Sequence, residues 1–362
     1  MGTQNANRRT VAPKRGPQRA AYLVLGMHRS GTSAVTQLLA LAGATLPQNV
    51  MPGDEHNAKG YFEPWKIAQF DDERLRAAGL AWDDPFAFPF RALAPALERQ
   101  WKARAATVLV EEYGDAAWPL IKDPRVTILL PLWRAVLAKA GLPVRCVIPV
   151  RHPLAVAGSL RRRDGFSDQK SVLVWTSYML AAEAYTRDLP RAFVAYDALL
   201  DDWRGEVRKI EAAHGVRLPR LTPKAASAID AFLTPELRHN AGEGDLAQLD
   251  WVGELAQAVL GALSGPEPDR AALDSAAAQL SAWQARIGAL VSPVARDLDA
   301  ARASLDAVRA DLGEMTRRAE DAEALQVHQR ETLETGWRND VSDLREVLAQ
   351  VSTELDNAML DE

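Results

Sequence analysis

Residues 22–33 read Tyr-Leu-Val-Leu-Gly-Met-His-Arg-Ser-Gly-Thr-Ser, and they restrict the fold more than any other stretch. An apolar run ending in Gly26, a second glycine at Gly31, and then Thr32 and Ser33 make the pattern of a buried strand turning through a phosphate-type loop into a helix. Such a turn presents backbone N–H groups at a helix start, so it belongs to a parallel sheet covered by helices. Position 32, where an ATP-hydrolysing loop carries lysine, holds threonine. The N–H cradle serves any phosphate or sulfate without that lysine, whose work is to place charge on the β and γ phosphates beside magnesium. Arg29 supplies charge from inside the loop, with a planar fork suited to oxyanions. The loop therefore suits an anion other than magnesium triphosphate, the alternative being a glycine turn of purely structural use.

The remainder of the chain agrees with an α/β reading. Short apolar runs at 22–26, 118–121, 145–150 and 192–196 fit buried parallel strands, and helical patterns follow them at Ser33–Leu41, Val126–Ala140, Leu154–Arg163 and Leu199–His214. A further short strand is expected near Ala44–Leu46. Ligands of such sheets bind at the carboxyl ends of the strands. There the chain places Arg29, then Lys122-Asp123-Pro124-Arg125, then Arg151-His152-Pro153.

A chain of 362 residues, 48% hydrophobic, can bury one large core and carry an appended segment. Cys146 is the single cysteine, which excludes an internal disulfide or a cysteine-based zinc site and fits a reducing compartment. No apolar run approaches the ~20 residues of a membrane span, so a cytoplasmic protein is expected. Ala6 stands where an N-myristoylation motif requires Ser or Thr. Residues 1–20 hold five basic residues and no acid, which reads as a disordered tail and as too weak a patch for a nucleic-acid partner; contact with an anionic membrane is the alternative.

Residues 294–362 carry 17 acids against 8 arginines and no lysine. Leu298, Ala301, Leu305, Val308, Leu312, Met315, Ala319 and Ala322 alternate in steps of three and four, and the pattern resumes as Trp337, Val341, Leu344, Leu348, Val351, Leu355 and Ala358 after an interruption at 326–336. This predicts an amphipathic helix that associates as a coiled coil with a copy or partner helix, a fold-back onto the domain being the alternative. The expected organisation is a basic tail (1–20), an α/β nucleotide-binding domain (21–220), its helical completion (221–293) and an acidic coiled-coil helix (294–362).

Two motifs together carry a family resemblance. Arg29-Ser30-Gly31-Thr32-Ser33 resembles the 5′-phosphosulfate loop of the sulfotransferases that use 3′-phosphoadenosine-5′-phosphosulfate (PAPS). Arg151-His-Pro-Leu-Ala-Val-Ala-Gly-Ser159 resembles their 3′-phosphate motif, an arginine after a strand with a serine eight residues on. The likeness covers about residues 20–220 and is strongest to bacterial members that act on carbohydrates or small hydroxylated acceptors. It implies a P-loop-type sheet flanked by helices and PAPS as co-substrate, with no metal. Gly26, Arg29, Ser30, Gly31, Thr32 and Ser33 would hold the 5′-phosphosulfate, and Arg151 with Ser159 the 3′-phosphate.

Sulfuryl transfer needs a leaving-group stabiliser, charge opposite the equatorial oxygens, and a base. Arg29 suits the first role, and Lys122 resembles the active-site lysine of several sulfotransferase groups. Base candidates crowd Asp54-Glu55-His56-Asn57-Ala-Lys59-Gly-Tyr-Phe-Glu63: Glu63 first, then Glu55 and His56. Glu63 capping the next helix is the alternative. Asp123 and Arg125 read as a pair orienting Lys122, Arg161–Arg163 as a helix end, Arg238 and His239 as a closing segment, and the aromatics between Trp65 and Phe90 as a sugar wall or core. A kinase would require the loop lysine, and a scaffold would not require the intact charged set.

Overall fold

The computed structural model describes residues 19–51, 62–234, 237–238 and 244–360. Strands β1 (Ala21–Val24), β2 (Leu120–Ile121), β3 (Val144–Val150) and β4 (Arg191–Ala195) form a four-stranded sheet in the order β2-β1-β3-β4. Every pairing is parallel; Leu23 sits opposite Ile121 on one side and Cys146 on the other, and Val147 opposite Ala192. Apart from Arg145 in β3 and Arg191 at the start of β4, these strands are apolar, because both faces are covered. Ala21, Leu23, Cys146 and Ile148 enter one core, and Tyr22, Val24, Val147 and Val194 the other.

Helix α1 (Thr32–Leu41) lies against the second face, together with α9 (Trp203–His214) and α10 (Pro223–Phe232). The first face is covered by α2 (Trp65–Ala77), α3 (Pro95–Tyr113), α5 (Leu130–Lys139), α6 (Pro153–Asp164), α7 (Asp168–Ala184) and α11 (Asp250–Leu263). Helix α7 is buried without a break from Ser171 to Glu183, which marks it as an interior helix. Since β1 leads into α1 on one face and β3 into α6 on the other, a crevice opens between their carboxyl ends.

Three local expectations are corrected. The helix expected over 126–140 is two, α4 (Pro124–Ile128) and α5, because Pro131 lacks a donor and its ring opposes the carbonyl four residues back. The helix expected from Leu199 begins at α8 (Tyr196–Asp201) and restarts at Asp202, whose carboxylate accepts from Gly205 N at 2.9 Å to cap α9. At 44–46 there is a single bridge, Thr45 opposite Pro119, since Pro47 has no N–H to donate to the Leu120 carbonyl, which accepts from the Tyr113 hydroxyl at 2.7 Å instead.

The last helix, α12 (Arg270–Leu360), runs straight through 326–336, where the heptads falter. Gln326, Gln329, Arg330, Glu331, Leu333 and Glu334 are good helix formers and carry the helix past the weaker residues among them, of which Gly336 costs only about 1 kcal/mol. Leu273, Ala276 and Leu280 join the core of the first compact unit, which extends to Asp297; Leu298–Glu362 forms a second. Among the described residues, no helix is long and apolar enough to cross a membrane.

Candidate active site

The glycine loop is built by backbone geometry that only some residues tolerate. Gly26, Arg29 and Gly31 have φ of 132°, 67° and 91°, so the chain reverses its curvature repeatedly between β1 and α1. A Cβ on Gly31 would lie 2.2 Å from Cδ2 of Tyr196. Thr127, on α4, fastens the loop's entry: its hydroxyl accepts from Gly26 N at 2.8 Å. Helix α1 starts at this loop with no side-chain cap and no acid in its first turn, leaving its positive end uncompensated. The Ser30 hydroxyl is fully buried and has no hydrogen-bond partner among the described residues.

The second motif meets the first directly. Arg29 Nε donates to Ser159 Oγ at 2.7 Å across 130 residues of chain, and Arg151 Nη1 donates to the Arg29 carbonyl at 3.0 Å. Arg151 lies over the Tyr196 ring, 4.6 Å from its centroid. Burial lowers the Arg151 guanidinium from its ordinary value, opposed by Tyr196 and Asp197. Tyr196 thus backs both Gly31 and Arg151, and its hydroxyl donates to the Leu237 carbonyl at 2.8 Å.

Lys122 follows β2 and is 2% exposed; its ammonium donates to Glu63 Oε1 at 2.5 Å. Glu63 is set in place by its backbone, whose carbonyl accepts from Met51 N at 2.8 Å, while Trp65 N reaches Asn49 O at 2.8 Å. Buried Glu112 secures both arms, accepting from Asn49 N at 3.0 Å and Lys66 N at 3.1 Å. Pro64 is the N-cap of α2 and no side chain caps that helix, so the Glu63 carboxylate faces Lys122 and not the helix start. Glu55 and His56 lie outside the described residues, as does His239.

Beneath Lys122 lies a carboxylate cluster. Asp123 caps α4 through Arg125 N at 2.9 Å, and Arg125 bridges Asp123 (3.1 Å) to Asp72 (2.5 Å). Burial pushes the Asp123 carboxyl from 3.8 up to about 6, against the pull of Arg125. Asp71, which accepts from Trp133 Nε1 at 2.8 Å, is raised well above the usual range by burial and by Asp123.

Sequence reasoning missed His28. Its ring meets Trp82 edge-on at 4.7 Å, and Nε2 has no partner among the described residues. Burial, then the fields of Arg163, Arg125, Lys122 and Arg29, hold it well below the ordinary histidine value, so it is neutral at pH 7. Four cations therefore converge on one ring. Tyr196 and Thr127 were also missed; the carboxyl end of β4, one residue before Tyr196, was the signal for the first. Of the aromatic stretch, Trp82 reaches the loop, Phe86 and Phe88 are core, and Trp65 is exposed. Arg161 pairs with Asp168, Arg163 with Asp164, and Arg238 with Asp201.

The chain is thus an α/β protein whose glycine loop and arginine motif share one crevice of a parallel sheet. No family model matches it, and neither does any curated protein. Comparison with solved structures returns the sulfotransferase domain from the Synechococcus PCC 7002 olefin synthase, with 15% identity and a TM-score of 0.37 over 74% of this chain and 97% of that one. It also returns the sulfotransferase domain from the curacin biosynthetic pathway, with 13% identity and a TM-score of 0.36 over 74% and 99%.

Two outcomes are expected from this geometry. Gly31→Ala should destabilise the protein by roughly 1–3 kcal/mol, through a positive φ and the collision with Tyr196; an unchanged urea midpoint refutes the role given to Gly31. Because the folded state holds the Asp123 proton more tightly than the unfolded chain, the stability due to Asp123 is greatest in acid and falls as pH rises through about 4 to 6. Asp123→Asn keeps a capping group but loses that slope. Wild type should therefore gain on the variant by on the order of 2 kcal/mol between pH 7 and pH 4, and an equal gap at both pH values would contradict it.

Proposed function

We propose that this protein is a sulfotransferase that moves a sulfuryl group from PAPS to a hydroxyl of a carbohydrate acceptor. The observation that carries the reading is the joining of two anion motifs, distant in sequence, through the Arg29 to Ser159 hydrogen bond of 2.7 Å. A nucleotide with anionic groups on both ends of its ribose requires two such motifs at a fixed spacing, whereas a simple nucleoside triphosphate requires one. The unpartnered Ser30 hydroxyl and the convergent cations suit a ligand of high negative charge.

In this reading the 5′ loop, Arg29 and the hydroxyls of Ser30, Thr32 and Ser33 bind the phosphosulfate, and Arg151 with Ser159 binds the 3′-phosphate. PAPS supplies the sulfuryl group, whose bond to the 5′-phosphate breaks as the acceptor oxygen bonds to sulfur. Lys122 and Glu63 act as a coupled pair. The Lys122 ammonium engages Glu63 Oε1 in the structure. Drawn toward the sulfuryl oxygens, Lys122 leaves that carboxylate free to take the acceptor proton, so the base is released only when the donor is seated.

Calorimetry tests the reading. Adenosine 3′,5′-bisphosphate should bind without metal, and Arg29→Ala or Arg151→Ala should each weaken it by on the order of 2 kcal/mol, about thirtyfold. Unchanged affinity in Arg151→Ala overturns the assignment, and tight binding of magnesium-ATP alone redirects it to a kinase. Glu63→Gln should leave nucleotide affinity intact while lowering transfer by roughly two to four orders of magnitude, measured as sulfate incorporation across a glycan panel. A fully active Glu63→Gln enzyme moves the base to Glu55 or His56.

A further inference from the structure

The second compact unit is a lone helix with an uncovered apolar stripe. Trp337 is 76% exposed and Leu333 74%, and Leu305, Leu312 and Leu348 are exposed as well. We propose that this stripe pairs with the same stripe of a second copy of the chain, in a parallel, in-register, two-stranded coiled coil.

The seam does not end where the heptads falter. Because α12 is unbroken through 326–336, Gln329, Leu333, Trp337 and Val341 follow one another in steps of four. Such steps unwind the supercoil locally and keep the stripe on one side of the helix. With Leu298 in the first core position of its heptad, Gln326 and Gln329 occupy two adjacent core layers. Polar core layers penalise slipped pairings and pin the register.

The flanking charges select orientation and number. Immediately after the second core position of their heptads stand Arg302, Arg309, Arg330, Arg338 and Arg345. An antiparallel pair would set these positions against each other, arginine facing arginine. Three or four strands would bury them. A parallel pair instead sets each against the residue five before it on the other helix. Asp340 then faces Arg345 of the partner subunit, and Arg318 faces Glu323 of the partner subunit. No like-charged pair arises at the flanking positions of 298–353.

The experiment uses the full chain. Sedimentation should give a dimer mass. Met315→Cys should close a symmetric disulfide under mild oxidation, with no background from Cys146, whose thiol is buried and pushed up to about 12. Arg345→Glu should weaken dimerisation about tenfold, and adding Asp340→Arg should restore it. A monomer at every concentration, a trimeric or tetrameric mass, or failure of the charge reversal to restore pairing overturns the proposal. So does crosslinking confined to a mixture of Leu305→Cys and Leu344→Cys chains, the antiparallel signature, in which first core positions meet second ones.

Discussion

The site depends on β1 lying directly beside β3. Their parallel register, Leu23 opposite Cys146 and Val24 opposite Val147, brings two strand ends to the same level. Two loops more than a hundred residues apart thereby become neighbours, and Arg151 can reach the carbonyl of Arg29. The pairing holds because, Arg145 apart, both strands present apolar residues to both faces, so a slip of one residue would exchange the contents of two cores. The same burial that fixes the register fixes the relative height of the two motifs.

Such an edge carries an electrostatic cost. Arg29, Lys122, Arg125 and Arg163 all act on the His28 ring, and burial keeps that ring neutral. The protein offsets the cations with Glu63, Asp72 and Asp123, the last of them fixed at the start of α4, while Trp133 holds the neighbouring Asp71. A buried pair such as Lys122 and Glu63 adds little net stability, because desolvation consumes most of its attraction. Its value lies in keeping a lysine inside the sheet edge, compensated and in place until an anion competes for it.

Much of this was legible in the sequence. Four strands were readable because parallel strands are apolar without alternation, and the loop because glycines at 26 and 31 have one common use after a strand. Arg151 and Ser159 were readable as a spaced pair. Thr127, Tyr196 and His28 were not, because each acts through a contact across the fold: a hydroxyl to a backbone amide, a ring beneath a glycine, an imidazole against Trp82. The breaks at Leu129 and Asp202 were missed because periodicity persists across them, while Pro131 and the Asp202 cap decide where helices restart. The pairing of Glu63 with Lys122 likewise needed three dimensions, since sequence placed both residues near strand or helix ends without saying that they meet.

Tyr196 has one more consequence. A single ring closes off the space behind Gly31 and lies under Arg151, so the two halves of the crevice share a wall and cannot shift independently. A ligand gripped at both ends meets a caliper of set width. Selectivity would then come less from the base it carries than from the distance between its two charges, and a molecule one bond too short or too long would be rejected before any chemistry began.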